Sequence, residues 1–564
     1  MISAQSFAGS RGARRAATLP LLFLVALAVS VRLILLPYAS QDTNDHSLRV
    51  WIAWRWMEDP FFFLHGHWPP LQFFLLGPVI HWANDPILAP VLVQAAFGSL
   101  VPAVLYLFSA REWGDRTVAL AVGAAYALYP VAIRTSLEVL AQPQFSLFVA
   151  LTFLALSHAR EPSASWHRAA LAGAMLAMAG MFRIEGWILI PFFALTLWPQ
   201  RGRIVAFAAV AALAPLSMMV ANTLHYGNPL LPITTVLDFE LELAGRDNLS
   251  LLAHAGQVIR FLWQLAGGMT PVLALMAGLG ALSCLVRRER QSVWLVPGLA
   301  MALILIGSVA RGSTAPKVIY TETLGLLLIP FLASFLLAPE LRRLPRAATA
   351  TLVAGLIGYM LLMNVIATLR DIPGLRERSR LLAAIPALNP APTFEGKPII
   401  DRLLPLVRAP DGAPGQGLIV DRLGSPASFY LGLRSLYHPD RIFIATDAPN
   451  AKLDARVPEE RRPLRERMQP LRDSEPLELD AFLRAYCSGL LVLQPGSRFA
   501  EWLNYREPDR AARGPIELKL DREAREPWPL PADARLRAAG VPVTAPGEVV
   551  LFHYRVERCT AAGD

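Results

Sequence analysis

The chain has 564 residues, of which 54% are hydrophobic and only 17% charged, and its mean hydropathy is +0.40. A single soluble globule, in which about a quarter of residues are charged, is excluded because no soluble core could hide so much apolar surface. The net charge of +9 and pI near 9.7 do not point to nucleic acid, since the basic residues lie in short loops between apolar runs and form no single patch.

Apolar runs near the length of a bilayer crossing, each bounded by charge, predict spans at 19–37, 88–109, 117–133, 143–158, 168–183, 186–199, 204–224, 267–286, 292–310, 321–338 and 347–369. The first follows Arg11, Arg14 and Arg15 and has no small-residue cleavage site before Arg32, which favours a retained span over a leader. Arginines recur in the connections 110–117, 159–168, 200–204, 287–291 and 339–346, while the alternate connections are longer and poorer in Lys and Arg. By the positive-inside rule the N-terminus and those connections are cytoplasmic, and eleven spans place the C-terminal region outside.

The segment 70–82 is apolar but too short to cross, so it is predicted as an interfacial or re-entrant helix within a long external loop, 38–87. The stretches around Trp51, Trp54 and Trp56, and around Trp68, suit helices lying at the membrane interface. Beyond residue 370 the composition turns to Arg, Asp, Glu and Pro, marking a boundary between a membrane domain, 1–370, and a C-terminal α/β domain, 371–564. Runs at 417–420, 441–444, 489–493 and 549–552 read as short buried strands, with a helical pattern at 477–486. The fold class is therefore an α-helical polytopic membrane protein with a C-terminal α/β external domain. Three cysteines are too few for a disulfide scaffold or metal cluster; Cys284 reads as a core residue, and a Cys487–Cys559 disulfide is left open.

The first external loop carries most of the chemistry. Asp42 and Asp45 follow closely on the first span, where a carboxylate can act as a general base on a hydroxyl or hold a metal. The plainer reading is that Asp45 caps the helix beginning near His46. His65 and His67 could join the two aspartates in a metal site, although histidines one residue apart among aromatics fit an interfacial helix equally well.

The order Asp42-Thr43-Asn44-Asp45-His46, then His67-Trp68-Pro69-Pro70-Leu71, resembles glycosyltransferases of the GT-C superfamily, in particular the protein mannosyltransferase and aminoarabinose-transferase type. Here His46 stands where the family has a second acid. Tyr129-Pro130 with Arg134, Ser136, Glu138 and Pro143 resembles the family's second external loop. Phe182-Arg183-Ile184-Glu185-Gly186 and Lys317-Val318-Ile319-Tyr320 resemble elements at the external ends of later spans. The likeness covers roughly residues 19–340.

The resemblance implies an inverting glycosyltransferase that takes a sugar from a polyprenyl-phosphate donor. The acceptor would be an envelope glycan, lipid or protein on the external face of a bacterial inner membrane. Such a reaction needs a base, cations for the departing phosphate and a groove for the prenyl chain. Asp45 is the first candidate base, followed by Asp42 and Glu138. Arg134, Arg183, Arg311 and Lys317, with His67, are candidates for the phosphate, the alternative for Arg311 and Lys317 being snorkelling to headgroups. No cofactor is required on this reading, and a divalent metal is the lesser alternative. Membrane lipids are partners and nucleic acid is not. A transporter or flippase of a lipid-linked glycan, or a non-catalytic envelope-assembly protein, are the competing readings.

Overall fold

The computed structural model describes residues 11–36, 44–57, 68–226, 228–231, 233–234, 251–311, 319–343, 345–371, 397–407, 416–421, 423, 425–435, 441–445, 475–506, 510–513, 516–528 and 547–557. Asp42, His65, His67 and Lys317 lie outside these, as does Cys559.

Helices account for the membrane part. α1 (Arg11–Leu35), α2 (Asn44–Trp56) and α3 (Leu71–Ala83) are followed by α4 (Leu88–Trp113), α5 (Arg116–Ala127), α6 (Pro130–Leu137) and α7 (Gln142–Ala159). Then come α8 (Trp166–Phe182), α9 (Glu185–Leu195), α10 (Arg201–Ala211), α11 (Leu213–Tyr226), α12 (Leu251–Gly268), α13 (Pro271–Val286), α14 (Leu295–Ala310), α15 (Ile319–Leu328) and α16 (Arg346–Asp371).

Among the described residues four helical segments, 18–35, 88–113, 201–224 and 290–310, are long and apolar enough to cross a membrane, and up to six if two bent pairs each count as one span. The run predicted as one straight span at 117–133 is instead α5 and α6, bent by 49° where Pro130 begins a new helix. Pro has no N–H to continue the hydrogen-bond ladder, so a break there follows from its chemistry. Similarly, α12 and α13 meet at 99° across Met269-Thr270, with Pro271 opening the second helix.

Connections expected on one side of the membrane converge: Glu161 pairs with Arg111 and with Arg168, and Arg203 donates to the carbonyls of Ala159 and Glu161 at 2.9 and 2.7 Å. Hydrogen bonds from Arg111 chiefly hold the Glu161 carboxyl below its ordinary range. The loops expected on the other side meet around α2, as described below.

The C-terminal part is built on one mixed sheet in the order β2-β1-β3-β6-β5-β4, with β1 (Gln416–Val420), β2 (Ile442–Ile444), β3 (Ser488–Leu493), β4 (Arg510–Arg513), β5 (Ile516–Trp528) and β6 (Gly547–Val556). β1 is parallel to β2 and β3, and the remaining pairs are antiparallel. The four predicted strands are present; β4 and β5 were not foreseen, because β5 reads Ile-Glu-Leu-Lys-Leu-Asp-Arg-Glu-Ala-Arg and exposes one charged face. Successive residues of β3 alternate between two cores, Leu490 and Val492 facing one, Leu491 and Leu493 the other. Burial on both faces explains why β1 and β3 read as unbroken apolar runs.

One of these cores is not confined to the sheet. Val50, Trp51, Ile52 and Trp54 of α2 and Phe73, Leu76 and Ile80 of α3 pack with Leu418, Leu431, Leu490 and Leu551. α18 (Ser425–Ser435), which follows α17 (Lys397–Val407), lies directly on α2. Trp51 and Trp54 are thus buried, at 6% and 7% exposure, under the C-terminal sheet and its helices, where the sequence suggested the membrane interface. A close approach of α3 to α2 is allowed by Gly77, where a Cβ would lie 2.6 Å from the Ala53 carbonyl oxygen.

Candidate active site

α2 begins with Asp45 in its first turn, exposed, where the positive end of the helix favours a carboxylate. The helix is otherwise enclosed, so its polar residues need partners. His46 is 1% exposed, and its Nδ1 accepts a hydrogen bond from the Val139 amide at 2.9 Å. Burial, with Arg434 nearby, pushes the imidazole down to about 3, so it is held neutral.

One turn further, Arg49 is 7% exposed. Its Nη1 donates to Gln72 Oε1 at 2.5 Å and its guanidinium lies 4.2 Å from the centre of the Trp68 ring. Nε has no hydrogen-bond partner, and no described carboxylate pairs with this buried cation. Burial pushes the group down to about 10, only partly opposed by the charges of Asp45 and Glu185. Gln72 in turn donates to the Val139 carbonyl at 3.5 Å.

Arg183 caps the end of α8, and its Nε donates to Glu185 Oε1 at 3.1 Å in a largely buried pair. The Arg49 charge feels both members of this pair. Arg134 pairs with Glu138 at 2.9 Å, so that Glu138, 6% exposed, is already engaged. Arg311, in contrast, stands exposed at the end of α14.

Deeper lies a residue that the sequence reading passed over. Glu322 on α15 is 1% exposed and accepts hydrogen bonds from Thr135 (2.6 Å), Ser146 (2.8 Å) and Tyr126 (3.3 Å). Arg32, also 1% exposed, donates to the carbonyls of Ala28 and Ala132. An acid or arginine inside an apolar run is costly unless partnered, and that rule, applied to Glu322 and Arg32, was the available signal.

Hydrogen bonds among His46, Arg49, Gln72 and Val139 therefore bring the α2 segment that carries Asp45 and Arg49 up to the segment that carries Arg134 and Glu138, while Arg183 and Glu185 form a pair of their own at the end of α8. Arg311 is exposed and without a described link to these residues. Among the described residues no group of three His, Cys, Asp or Glu side chains is arranged as metal ligands would be.

No protein-family model matches the sequence, and no curated protein matches it. Solved structures do. The crystal structure of ArnT from Cupriavidus metallidurans bound to undecaprenyl phosphate aligns over 96% of this chain and 99% of its own, with a TM-score of 0.56 at 14% identity. The chain has the ArnT fold. The apo structure of the same ArnT aligns over 95% of this chain and 98% of that one (TM-score 0.49, 14% identity). The archaeal oligosaccharyltransferase AglB from Archaeoglobus fulgidus, in complex with an inhibitory peptide and a dolichol-phosphate, aligns over 76% and 64% (TM-score 0.42, 11% identity). An ArnT fold running nearly end to end includes the C-terminal sheet as well as the helical part, and it is the fold that the GT-C resemblance implied.

Proposed function

We propose that the chain is an integral-membrane glycosyltransferase that moves a sugar from a polyprenyl-phosphate donor to a hydroxyl of an envelope glycan, lipid or protein. The observation that carries this reading is local. An exposed carboxylate, Asp45, stands one helical turn before a buried arginine, Arg49, that has no carboxylate partner among the described residues, on a fold shared with a protein crystallised with undecaprenyl phosphate. A buried cation without an anion is a site waiting for one.

In the proposed step the acceptor oxygen bonds to the anomeric carbon with inversion as the bond from that carbon to the phosphate oxygen breaks. The hydroxyl proton passes to Asp45, and the electron pair leaves on the polyprenyl phosphate, whose charge Arg49 and Arg183 offset. Asp42 is the second candidate base. Glu138 is the third, because Arg134 already holds it.

The further parts of the reading concern topology. Eleven spans, with the N-terminus inside and the region 371–564 periplasmic, would bring the Asp45 loop to the external face of a bacterial inner membrane.

Asp45→Asn tests the mechanism, since it keeps shape and capping but removes the proton acceptor. Turnover of a purified lipid-linked donor should fall ~10²–10⁴-fold, while donor binding persists. Near-normal turnover would move the role to Asp42 or Glu138, and near-normal turnover in all three single variants would overturn the carboxylate-base mechanism.

A further inference from the structure

Three buried glutamines have no task in the transfer step proposed above. Gln94 and Gln144 are 0% exposed and Gln142 is 1% exposed. In each, both the amide nitrogen and the amide oxygen lack a hydrogen-bond partner among the described residues. An amide kept from water without a partner is costly, so three around one helix end point to something that partners them.

Their positions follow from the contacts of the helices that carry them. Phe108 of α4 and Phe153 of α7 meet with ring centroids 5.0 Å apart, and nearer the start of α4 Gly98 lies against Ser136, which precedes α7 in the chain. The two helices therefore run in the same direction. Gln94 lies fourteen residues before Phe108 and Gln142 eleven before Phe153. Both spacings are close to whole turns, so each glutamine shares the face of its phenylalanine, and the two lie across the α4–α7 contact within about one turn of each other. Gln144 is on another side of α7. One turn after it, Phe148 stacks on Phe182 with centroids 5.8 Å apart, and Arg183 caps α8 directly after Phe182. The three amides thus surround the first turn of α7, from the Arg183 side to the α4 side, and that turn has no side-chain cap. Three residues before it, the Val139 peptide is the one that His46 and Gln72 bind.

A carboxamide offers a donor and an acceptor side by side, which matches the neighbouring hydroxyls of a sugar ring. The carboxylates of these segments, Glu138, Glu185 and Glu322, are already held by Arg134, by Arg183 and by three hydroxyls. We propose that Gln94, Gln142 and Gln144 bind the glycosyl unit of the donor, and that this unit is an uncharged sugar rich in hydroxyls, not a cationic amino sugar. The proposal rests on the reading that the donor is a polyprenyl-phosphate sugar. In this packing the amides are enclosed, so the sugar reaches them as the first turn of α7 parts from α4 and α8, and it supplies hydrogen bonds that the closed packing lacks.

The test uses the full-length protein in detergent with undecaprenyl phosphate, bare or carrying glucose, mannose, N-acetylglucosamine or 4-amino-4-deoxyarabinose. One of the neutral conjugates should bind more tightly than the bare lipid. Met has nearly the length of Gln without its amide, so Gln142→Met and Gln144→Met should each weaken binding of that conjugate on the order of ten-fold, the effect of one lost hydrogen bond. Affinity for the bare lipid should not change. Both variants should also unfold at the same or a higher temperature, because each removes an amide that has no partner. Lost sugar recognition with undiminished stability is what a merely structural glutamine would not give.

Unchanged affinity for that conjugate in either variant, an equal loss for conjugate and bare lipid, or tightest binding of the amino-sugar conjugate overturns the proposal. So does a bare lipid that binds as tightly as every neutral conjugate, which leaves the phosphate site standing. If the Met variants do not fold, Gln142→Asn and Gln144→Asn, which keep the amide but withdraw it by one methylene, are read against the same lipids with the same outcomes. Failure of the unmodified protein to bind undecaprenyl phosphate or any conjugate defeats the functional reading itself, and this inference with it.

Discussion

The imidazole of His46 accepts the amide hydrogen of Val139 at 2.9 Å, joining the first turn of α2 to the loop that follows α6. Asp45 and Glu138, each one residue from that hydrogen bond, are brought together by it. The Val139 carbonyl accepts from Gln72, so α3 is tied to the same peptide.

This joint should be sensitive to acid. The folded state holds His46 at about 3, against about 6.5 in an unfolded chain. Between these values the unfolded chain takes up a proton that the folded one refuses. The His46 contribution to stability is therefore complete above about pH 6.5 and declines as pH falls toward 3, at about 1.4 kcal/mol per pH unit for this one group. Thermal midpoints in detergent should fall over that window, and His46→Asn, whose side-chain oxygen can replace Nδ1 as acceptor, should flatten the His46 part of the slope. An unchanged slope would show that His46 is not the titrating group.

Arg49 should be needed as an arginine. Lys at this position keeps the charge but loses both the stacking on Trp68 and the fixed fork that reaches Gln72. Arg49→Lys is expected to lose at least ten-fold in affinity for undecaprenyl phosphate, and Arg49→Gln more, with both variants still monodisperse. Equal affinity in Arg49→Lys and the parent would remove Arg49 from the phosphate site.

Arg183 carries two duties, because its removal leaves Glu185 buried and unpaired. Breaking one partner of such a pair costs about 3–5 kcal/mol, much of it the penalty on the survivor. Arg183→Ala should therefore lower thermal stability as well as donor binding. The double variant Arg183→Ala, Glu185→Ala should recover most of the stability and none of the binding. Binding recovered along with stability would make the pair structural only.

Topology is tested on β5. Lys519 is exposed and its side chain lies off the apolar cores, so Lys519→Cys should fold normally. If the C-terminal region is periplasmic, a membrane-impermeant maleimide that passes the outer membrane will label it in intact cells. Labelling only after the inner membrane is opened would reverse the assigned orientation.

What the sequence determined by itself were properties that each segment carries alone. Length and apolarity marked the helices; composition marked the start of the C-terminal region. Apolar runs bounded by turns marked β1, β2, β3 and β6. The helix at 44–56 and the short one at 71–83 were legible for the same reason, as were Asp45, Arg183 and Glu138 from their places at helix ends.

Tertiary structure alone decided what those segments touch. Trp51 and Trp54 looked like interface anchors because a tryptophan-rich helix has the same composition whether lipid or a sheet covers it; here the sheet and α18 cover it. Arg49 was indistinguishable from any basic residue of a loop helix until its burial over Trp68 became visible. Glu322 and Arg32 lie 290 positions apart in sequence, and both reach α6, through Thr135 and the Ala132 carbonyl, only because α1 and α15 are both packed against that helix. Electrostatic coupling depends on distance and local dielectric, and neither is a property of one stretch of chain.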